Sequence, residues 1–148
     1  MRFTWAVAVV VIACPALAEA KSTLDYLGTW VITESVPAPW IKSDAELFDE
    51  ERVALVGKRI VFERKNIIAP SPMGCQGPHY KIRRYAADML FQGTLTEPAG
   101  QAAALGFSGR TIPTLETGCE GLLDYHFVDG RTAMFALNNA IYTVKRAD

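Results

Sequence analysis

The chain has 148 residues, a formal net charge of −1 and 50% hydrophobic residues, with aromatic residues making up 10% of the total. This length suits one domain, and the near balance of 15 basic and 16 acidic residues excludes a strongly basic nucleic-acid-binding protein. The hydrophobic content also excludes an acidic, disordered chain, because such sequences lack the side chains that build a core.

The first 20 residues have the layout of a secretory signal peptide. Arg2 precedes an uncharged apolar run over residues 3–13, and small residues spaced two apart follow that run. We expect cleavage after Ala18 or Ala20, so that residues 21–148 form one mature domain in the periplasm or outside the cell.

Two other interpretations of the N-terminal segment are open. A transmembrane anchor would need about 20 apolar residues, and the run is shorter than that. A lipid anchor on Cys14 is the second alternative, because residues 11–14 resemble a lipobox. No later stretch approaches membrane-spanning length, so we predict no membrane span in the mature domain.

The mature chain keeps two cysteines, Cys75 and Cys119, and they predict a disulfide. In the chain-entropy description such a link stabilises the fold by about 4 kcal/mol. The alternative is a thiol nucleophile, since His79 follows Cys75 by four positions, but no third orienting group stands out in the sequence.

The mature chain opens with a predicted strand and the best-marked helix of the sequence. Residues 27–33 are rich in aromatic and β-branched side chains, which predicts a strand that ends before Pro37. Ser43 and Glu46 form a capping box for a helix that Gly57 ends.

The middle of the chain predicts short strands around a proline- and glycine-rich loop at 70–78. Alternating apolar and polar residues indicate strands at 58–69, 79–85 and 112–117. A further strand is predicted around Met89, Phe91 and Leu95, and a short helix at 99–106.

The C-terminal end predicts two β-hairpins built from residues 122–128, 131–137 and 140–146. Asp129-Gly130 and Asn138-Asn139 separate these runs, and both dipeptides suit two-residue turns.

These turns predict a register for the last three strands. Tyr125 is expected opposite Met134, which in turn is expected opposite Thr143. The face that they share is predicted to be interior; its other members are Leu123, Phe127, Thr132, Ala136, Ile141 and Lys145. The opposite face is unusually apolar for a solvated one, so a helix packed outside it, or a partner surface, is expected there.

The elements together predict a mainly β protein, either a small antiparallel β-barrel or a β-sandwich, with one short helix after the first strand. Here the sequence resembles the calycins, the superfamily of lipocalins, fatty-acid-binding proteins and avidins. Gly28 and Trp30 match their Gly-x-Trp on the first strand, and residues 142–146 resemble their last strand. The resemblance implies that Trp30 plugs one end of a barrel and that Lys145 or Arg146 packs across it.

The calycin resemblance implies an exported binding protein that holds a small apolar ligand inside the barrel. The ligand would contact six side chains: Trp30, Phe62, Phe91, Tyr125, Phe127 and Met134. The alternative is that these six residues form a packed core.

A protein-binding module is the alternative function, for example a periplasmic inhibitor of a lytic or proteolytic enzyme. Small exported β-proteins present rigid loops, and residues 70–78 and 106–111 are the candidate contact loops. The near-zero net charge indicates that a partner is recognised by shape and apolar contact rather than by long-range attraction.

Nothing in the sequence predicts an enzyme, a cofactor or a metal site, because no catalytic or phosphate-binding motif is present. His79 and His126 could hold zinc with Asp124, but their spacing is not that of metal ligands, and surface or loop histidines are the preferred interpretation. Six basic residues are interpreted as the solvated side of two strands rather than as a nucleic-acid site: Arg59, Arg64, Lys65, Lys81, Arg83 and Arg84.

Overall fold

A computed structural model describes residues 25–42, 49–121 and 123–147 of the chain. The predicted signal peptide and the capping box at residues 43–46 lie outside these ranges. Within them the strands are β1 Gly28–Pro37, β2 Arg59–Phe62, β3 Asn66–Ile68, β4 Cys75–Gln76, β5 Lys81–Tyr85, β6 Ile112–Glu116, β7 Asp124–Asp129, β8 Thr132–Leu137 and β9 Ala140–Arg146. The helical elements are α1 Asp49–Leu55, α2 Pro98–Ala104 and, between β5 and α2, a kinked segment at Ala87–Gly93.

The nine strands form one antiparallel sheet in the order β4-β3-β2-β1-β9-β8-β7-β6-β5, and this sheet is curled. Phe62 on β2 and Tyr125 on β7 are separated by three intervening strands, yet their ring centroids are 4.9 Å apart. In a flat sheet with about 4.8 Å between neighbouring strands, these residues would be roughly 19 Å apart. The sheet is therefore a half-barrel, which confirms the predicted mainly β, barrel-like fold.

Each face of the curled sheet carries its own apolar cluster. The concave core lies inside the curl and includes Trp30, Ile60, Phe62, Leu115, Tyr125, Phe127, Phe135, Tyr142 and Val144. The outer core lies on the opposite face, where the kinked segment and α2 pack against β6 to β9; it includes Leu90, Phe91, Leu95, Ala102, Phe107, Ile112 and Ile141. A helical segment does cover the outside of these strands, as expected, but the membership of the two faces differs from the prediction.

The register of the first hairpin accounts for that difference. His126 pairs with Met134, and Phe127 pairs with Ala133, so the predicted pairing of Tyr125 with Met134 is wrong by one residue. The ladder shifts between Phe127 and Asp129, and the Asp129 carboxylate accepts the backbone N–H of Arg131 at 2.7 Å. This local turn keeps Asp129 in the strand and moves the turn one residue along the chain.

A one-residue shift moves a whole strand to the other face of its neighbour. Tyr125 and Phe127 therefore share the concave core with Ala133 and Phe135, whereas Met134 packs on the outer core. The register of the second hairpin is confirmed: Met134 pairs with Thr143 around the Asn138-Asn139 turn.

Three other elements differ from their predictions. The strand predicted at 58–69 is a hairpin, because β2 and β3 pair antiparallel within it. The strand expected around Met89, Phe91 and Leu95 is wrong, because Phe91 and Gln92 adopt left-handed backbone angles, with φ of 49° and 62°, inside the kinked segment. The first strand runs on to Pro37 instead of ending near residue 33. The helix predicted at 99–106 is confirmed as α2.

The start of β1 matches one geometric expectation of the resemblance. Trp30 pairs with Arg146 across β1 and β9, and the Arg146 guanidinium carbon lies 5.9 Å from the centroid of the Trp30 ring. Gly28 has a φ of 119°, and an added Cβ would lie 3.4 Å from the Arg146 guanidinium. Glycine here allows the strand to start close against this cation.

The predicted disulfide between Cys75 and Cys119 is confirmed. Cys75 lies in β4, at one end of the sheet, and Cys119 follows β6 near the other end. The bond therefore links the two ends of the half-barrel, and the Tyr80 hydroxyl, which donates to the Glu63 carbonyl at 2.8 Å, joins them a second time.

Candidate functional site

The six side chains predicted to contact a ligand do not lie together. Trp30, Phe62, Tyr125 and Phe127 belong to the concave core, and each is at most 3% exposed. Phe91 and Met134 belong instead to the outer core: Phe91 because its segment is not a strand, and Met134 because of the register shift.

The concave core is packed by its own aromatic rings. Trp30 meets Phe127 edge to face at 5.7 Å, and Tyr125 lies 5.3 Å from Phe135, which stacks on Tyr142 at 5.0 Å. The contact of Trp30 on β1 with Phe127 on β7, like that of Phe62 on β2 with Tyr125 on β7, joins strands that are not neighbours and so fills space inside the curl, while the other two contacts join adjacent strands. The Tyr125 hydroxyl is buried, and none of the described residues forms a hydrogen bond with it.

The outer face is organised around His126, which is 1% exposed. Its Nε2 accepts the backbone N–H of Phe91 at 3.0 Å, so the ring proton lies on Nδ1. Nδ1 then donates to the Thr114 hydroxyl at 2.9 Å, and this hydroxyl lies 3.4 Å from the Ile112 carbonyl. Burial lowers the pKa of His126 to about 3, which keeps the ring neutral.

This network holds the kinked segment in place. The Phe91 ring lies edge to face against His126 at 4.8 Å, and Phe107 approaches the same imidazole at 6.5 Å. Two successive non-glycine residues in the left-handed region are strained, so they persist only where their surroundings fix them. The hydrogen bond from Phe91 to His126 fixes this pair, and the segment forms one wall of a cleft.

We call this cleft the outer cleft; it consists of two adjoining depressions that share Gln92 and Asp124. The first has a volume of about 160 Å³, and Trp40, Phe91, Thr94, His126, Ala136, Leu137, Asn138 and Asn139 complete its lining. The second has a volume of about 570 Å³, and Tyr85, Asp88, Met89, Gly93, Glu116, Thr117 and Gly118 complete its lining. Together they offer aromatic rings, carboxamides and carboxylates to a bound molecule.

The electrostatic centre of the outer cleft is Asp124. It lies directly opposite Glu116 in the ladder between β6 and β7, an arrangement that places two like charges side by side. Burial, and then the charge of Glu116, raises the pKa of Asp124 to about 6, while a hydrogen bond with Tyr85 acts in the opposite direction.

Tyr85 and Arg83 moderate the charge of this carboxylate pair. The Tyr85 hydroxyl donates to Glu116 at 2.9 Å, and burial followed by this hydrogen bond raises the pKa of Tyr85 to about 12. Arg83 forms an ion pair with Glu116 at 3.1 Å. Glu116 thus has a cation and a hydroxyl as partners, which leaves Asp124 as the carboxylate best placed to meet a ligand.

The alternatives based on histidine and cysteine chemistry find no support in the geometry. Both ring nitrogens of His126 are engaged within the fold, so it is a buried strand residue and not the predicted surface or loop histidine. His79 is exposed just before β5, and Cys75 is in the disulfide. Across the described ranges, no three histidine, cysteine or acidic side chains are grouped so that they could hold a metal ion.

Sequence reasoning did not identify the outer cleft. Its residues come from separate parts of the chain, namely the segment after β1, the end of β5 with the kinked segment and Thr94, and the strands β6 to β8 with the turns after β6 and β8. The available signals were the unusual apolar content of the second face and the isolated Asp124 between apolar residues. Comparison of the chain with protein-family models, curated proteins and solved structures found no match.

Proposed function

We propose that the protein is an exported binding protein and that its outer cleft holds a small polar molecule with a cationic group. The observation that carries the proposal is the position of Asp124, a half-buried carboxyl at the junction of the two depressions. Burial removes water from this carboxyl and raises its pKa. A ligand cation restores the lost stabilisation of the charged form, so Asp124 favours an ammonium or amidinium group.

The rest of the lining suits a compact, hydrogen-bonding body attached to that cation. Trp40 supplies an aromatic ring that packs against the buried Phe91, with ring centroids 6.0 Å apart, and Gln92, Asn138 and Asn139 supply carboxamides. Carboxamides both donate and accept hydrogen bonds, which matches hydroxyl and amide groups of a ligand. An amino sugar fits this set of groups, and the side chain of a lysine or arginine fits its cationic part.

The packed concave core favours the outer cleft over the interior as the ligand site. Trp30, Tyr125 and Phe127 contact other core side chains, so an apolar ligand among them would have to displace those contacts. We also propose that the half-barrel is calycin-like, which the position of Arg146 over Trp30 supports. In that case the ligand site has moved from the inside of the barrel to its outside.

Export is part of the same proposal. The disulfide between Cys75 and Cys119 suits an oxidising compartment such as the periplasm. The helices in the described ranges are all too short or too polar to cross a membrane.

The test uses the ¹⁵N-labelled mature chain and two matched pairs of probes. Glucosamine is compared with glucose, and N-acetyl-lysine amide is compared with its neutral ε-acetylated form. We expect the cationic member of one pair to shift the indole N–H signal of Trp40 saturably, with about tenfold tighter binding than its neutral counterpart. The indole N–H of Trp30, which donates to the Tyr26 carbonyl at 2.9 Å in the concave region, is the internal control.

The pair that responds distinguishes a sugar ligand from a protein side chain. Affinity should also fall about tenfold for each pH unit below 6, because protonation of Asp124 removes the charge that attracts the cation. Asp124→Asn should abolish both the preference for the cation and this pH dependence, and Glu97→Gln, at an exposed residue that directly precedes α2 and does not line the cleft, should change neither. Equal binding of both members of each pair, or no saturable shift from either cation, would overturn the proposal.

A further inference from the structure

The strand β5 ends the sheet and leaves one edge of the half-barrel unpaired. It pairs with β6 over all five residues, from Lys81 opposite Glu116 to Tyr85 opposite Ile112, without a bulge. At the opposite end of the sheet, β4 has only two residues and contains Cys75 of the disulfide. Of the two edges that the sheet has in the described residues, the β5 edge is therefore the one that offers a regular row of backbone N–H and C=O groups along which another strand could pair.

The side chains of β5 leave this edge open. Lys81, Ile82, Arg83 and Arg84 are exposed, and Ile82 is 43% exposed although it lies opposite the buried Leu115. Because side chains alternate along a strand, Ile82 and Arg84 point to the concave side, while Lys81 and Arg83 share the outer side with Tyr85. No proline interrupts the strand, and no other described residue forms a backbone hydrogen bond along its free edge.

The charge of this edge is positive. Lys81, Arg83 and Arg84 fall within four positions, and Glu116 is the acidic residue that faces them, through its ion pair with Arg83. A depression of about 650 Å³ beside the start of β5 adds Arg64 and His79 to the same surface. In the described part of the chain, neither Lys81 nor Arg84 forms an ion pair.

Charge also decides between the candidate occupants of this edge. If a second copy of the chain paired its β5 fully antiparallel, Arg83 would lie opposite its own copy, and Lys81 and Arg84 would lie diagonally across from like charges. Like charges directly opposite one another destabilise a strand pair, and opposite charges stabilise it. The edge thus disfavours a copy of itself and favours an acidic strand.

We propose that the β5 edge binds an extended acidic segment of a partner protein, which adds to the nine-stranded sheet as a further strand. Acidic residues at every second position of that segment meet Lys81 and Arg83 on the outer side. The residues between them face Ile82 on the concave side, where an apolar side chain covers the exposed part of Ile82. This edge borders the outer cleft through Tyr85 and through the ion pair of Arg83 with Glu116, but Asp124 is not part of it, so it adds a protein partner to the proposed small ligand.

The experiment uses the disulfide-bonded mature protein and a fluorescent peptide in which glutamate alternates with valine. The matched peptide has glutamine in place of every glutamate. We expect saturable binding of the glutamate peptide below about 100 μM and at least about tenfold weaker binding of the glutamine peptide. Hydrogen exchange measured residue by residue should slow at alternate amides of Lys81–Tyr85, because only every second N–H of a strand faces its free edge.

Charge reversal identifies the surface. Lys81→Glu with Arg83→Glu should weaken binding of the glutamate peptide about tenfold or more, since the two side chains that face the glutamates on the outer side would then repel them. Lys58→Glu with Arg110→Glu changes the net charge equally at two exposed residues outside β5 and should have a much smaller effect. Asp124→Asn should leave peptide binding intact, which separates this result from the test of the outer cleft.

Three outcomes would overturn the proposal. One is the absence of saturable binding by the glutamate peptide to the folded protein. Another is binding without slower exchange in β5, which would show a charge contact without strand addition. The last is concentration-dependent dimerisation that protects the β5 amides without peptide, because the occupant would then be a second copy of the chain.

Discussion

The concave and outer faces of the sheet are stabilised by different kinds of interaction. The concave core is apolar and is held by ring-to-ring contacts such as those of Phe135 with Tyr125 and Tyr142. The outer core buries a polar network around His126, contains two strained residues, and borders a cleft with a half-buried carboxyl. We therefore expect a truncation inside the curl to cost more stability than one on the outer side, where the features suited to binding lie.

The largest effect is expected from matched truncations in the two cores. Phe135→Ala should lower the free energy of unfolding by about 3–5 kcal/mol, because this side chain is fully buried among rings. Phe107→Ala in the outer core should lower the free energy of unfolding by about 1–2 kcal/mol less than Phe135→Ala does. The segment that covers the outer core can move into the cavity left by the truncation more easily than a strand of the sheet can. Urea unfolding of both variants measures the difference, and equal losses would contradict the contrast drawn between the two faces.

The next effect concerns the polar network of the outer core. His126→Phe leaves the Phe91 N–H and the Thr114 hydroxyl without their partner and should cost about 2–4 kcal/mol at pH 7. His79→Gln, at an exposed loop position, is the control and should change stability little.

The same variant should alter the acid sensitivity of the protein. The unfolded chain protonates a histidine near pH 6.5, whereas folded His126 does so only near pH 3, so this residue causes stability to fall as the pH drops from 6.5 to 3. His126→Phe should remove that loss, and urea unfolding at pH 7, 5 and 4 measures it. A variant with the same dependence on pH as the parent protein would contradict the buried, neutral state of His126.

A smaller effect on stability, with the opposite dependence on pH, is expected at Asp124. Its pKa is raised from 3.8 to about 6, so the folded protein holds this proton more tightly and its stability falls as the pH rises from about 4 to about 6. Asp124→Asn should therefore stabilise the protein at pH 7, by no more than about 1 kcal/mol because the half-exposed carboxyl is screened by solvent. Thermal unfolding at pH 7 and pH 4 tests this, and a gain at pH 4 alone would contradict it.

An effect of similar size is expected from the Tyr125 hydroxyl in the concave core. Tyr125→Phe removes a buried hydroxyl that has no hydrogen-bond partner among the described residues and should raise stability by about 1 kcal/mol. Tyr80→Phe is the matched control and should lower stability, because the Tyr80 hydroxyl donates to the Glu63 carbonyl. A loss of stability in Tyr125→Phe would mean that its hydroxyl is bonded after all.

The sequence predicted the features that depend on neighbouring residues. Asn138-Asn139 predicted the second hairpin and its register, and both residues do adopt left-handed backbone angles, with φ of 48° and 59°. The short helix at 99–106 was an equally local inference, whereas the disulfide joins residues 44 positions apart and was predicted from the presence of two cysteines in the mature chain. The first hairpin was predicted, but its register was wrong by one residue, because the Asp129 side chain forms its own turn, an alternative to the Asp129-Gly130 turn that the dipeptide suggested.

The features that depend on distant residues were not predictable in this way. Met89, Phe91 and Leu95 have a spacing that resembles a strand, but the path of their segment is set by a hydrogen bond to His126, 35 positions from Phe91 in sequence. The outer cleft depends on that path and on the register shift of β7. The error of one residue in the register of the first hairpin therefore assigned Met134 to the concave face, and the outer cleft could not be predicted from that register.

The pairing of β1 with β9 has a mechanical consequence. The two strands are neighbours near the middle of the sheet. Trp30 near the start of β1 lies beside Arg146 at the end of β9, so the first and the last strand of the described domain have their outer ends next to each other. Tension applied to those ends would separate β1 from β9 one residue pair at a time, beginning at the pair of Trp30 and Arg146. The first interactions to break under such a force would be the hydrogen bonds that Arg146 donates to the backbone carbonyls of Asp25 and Leu27.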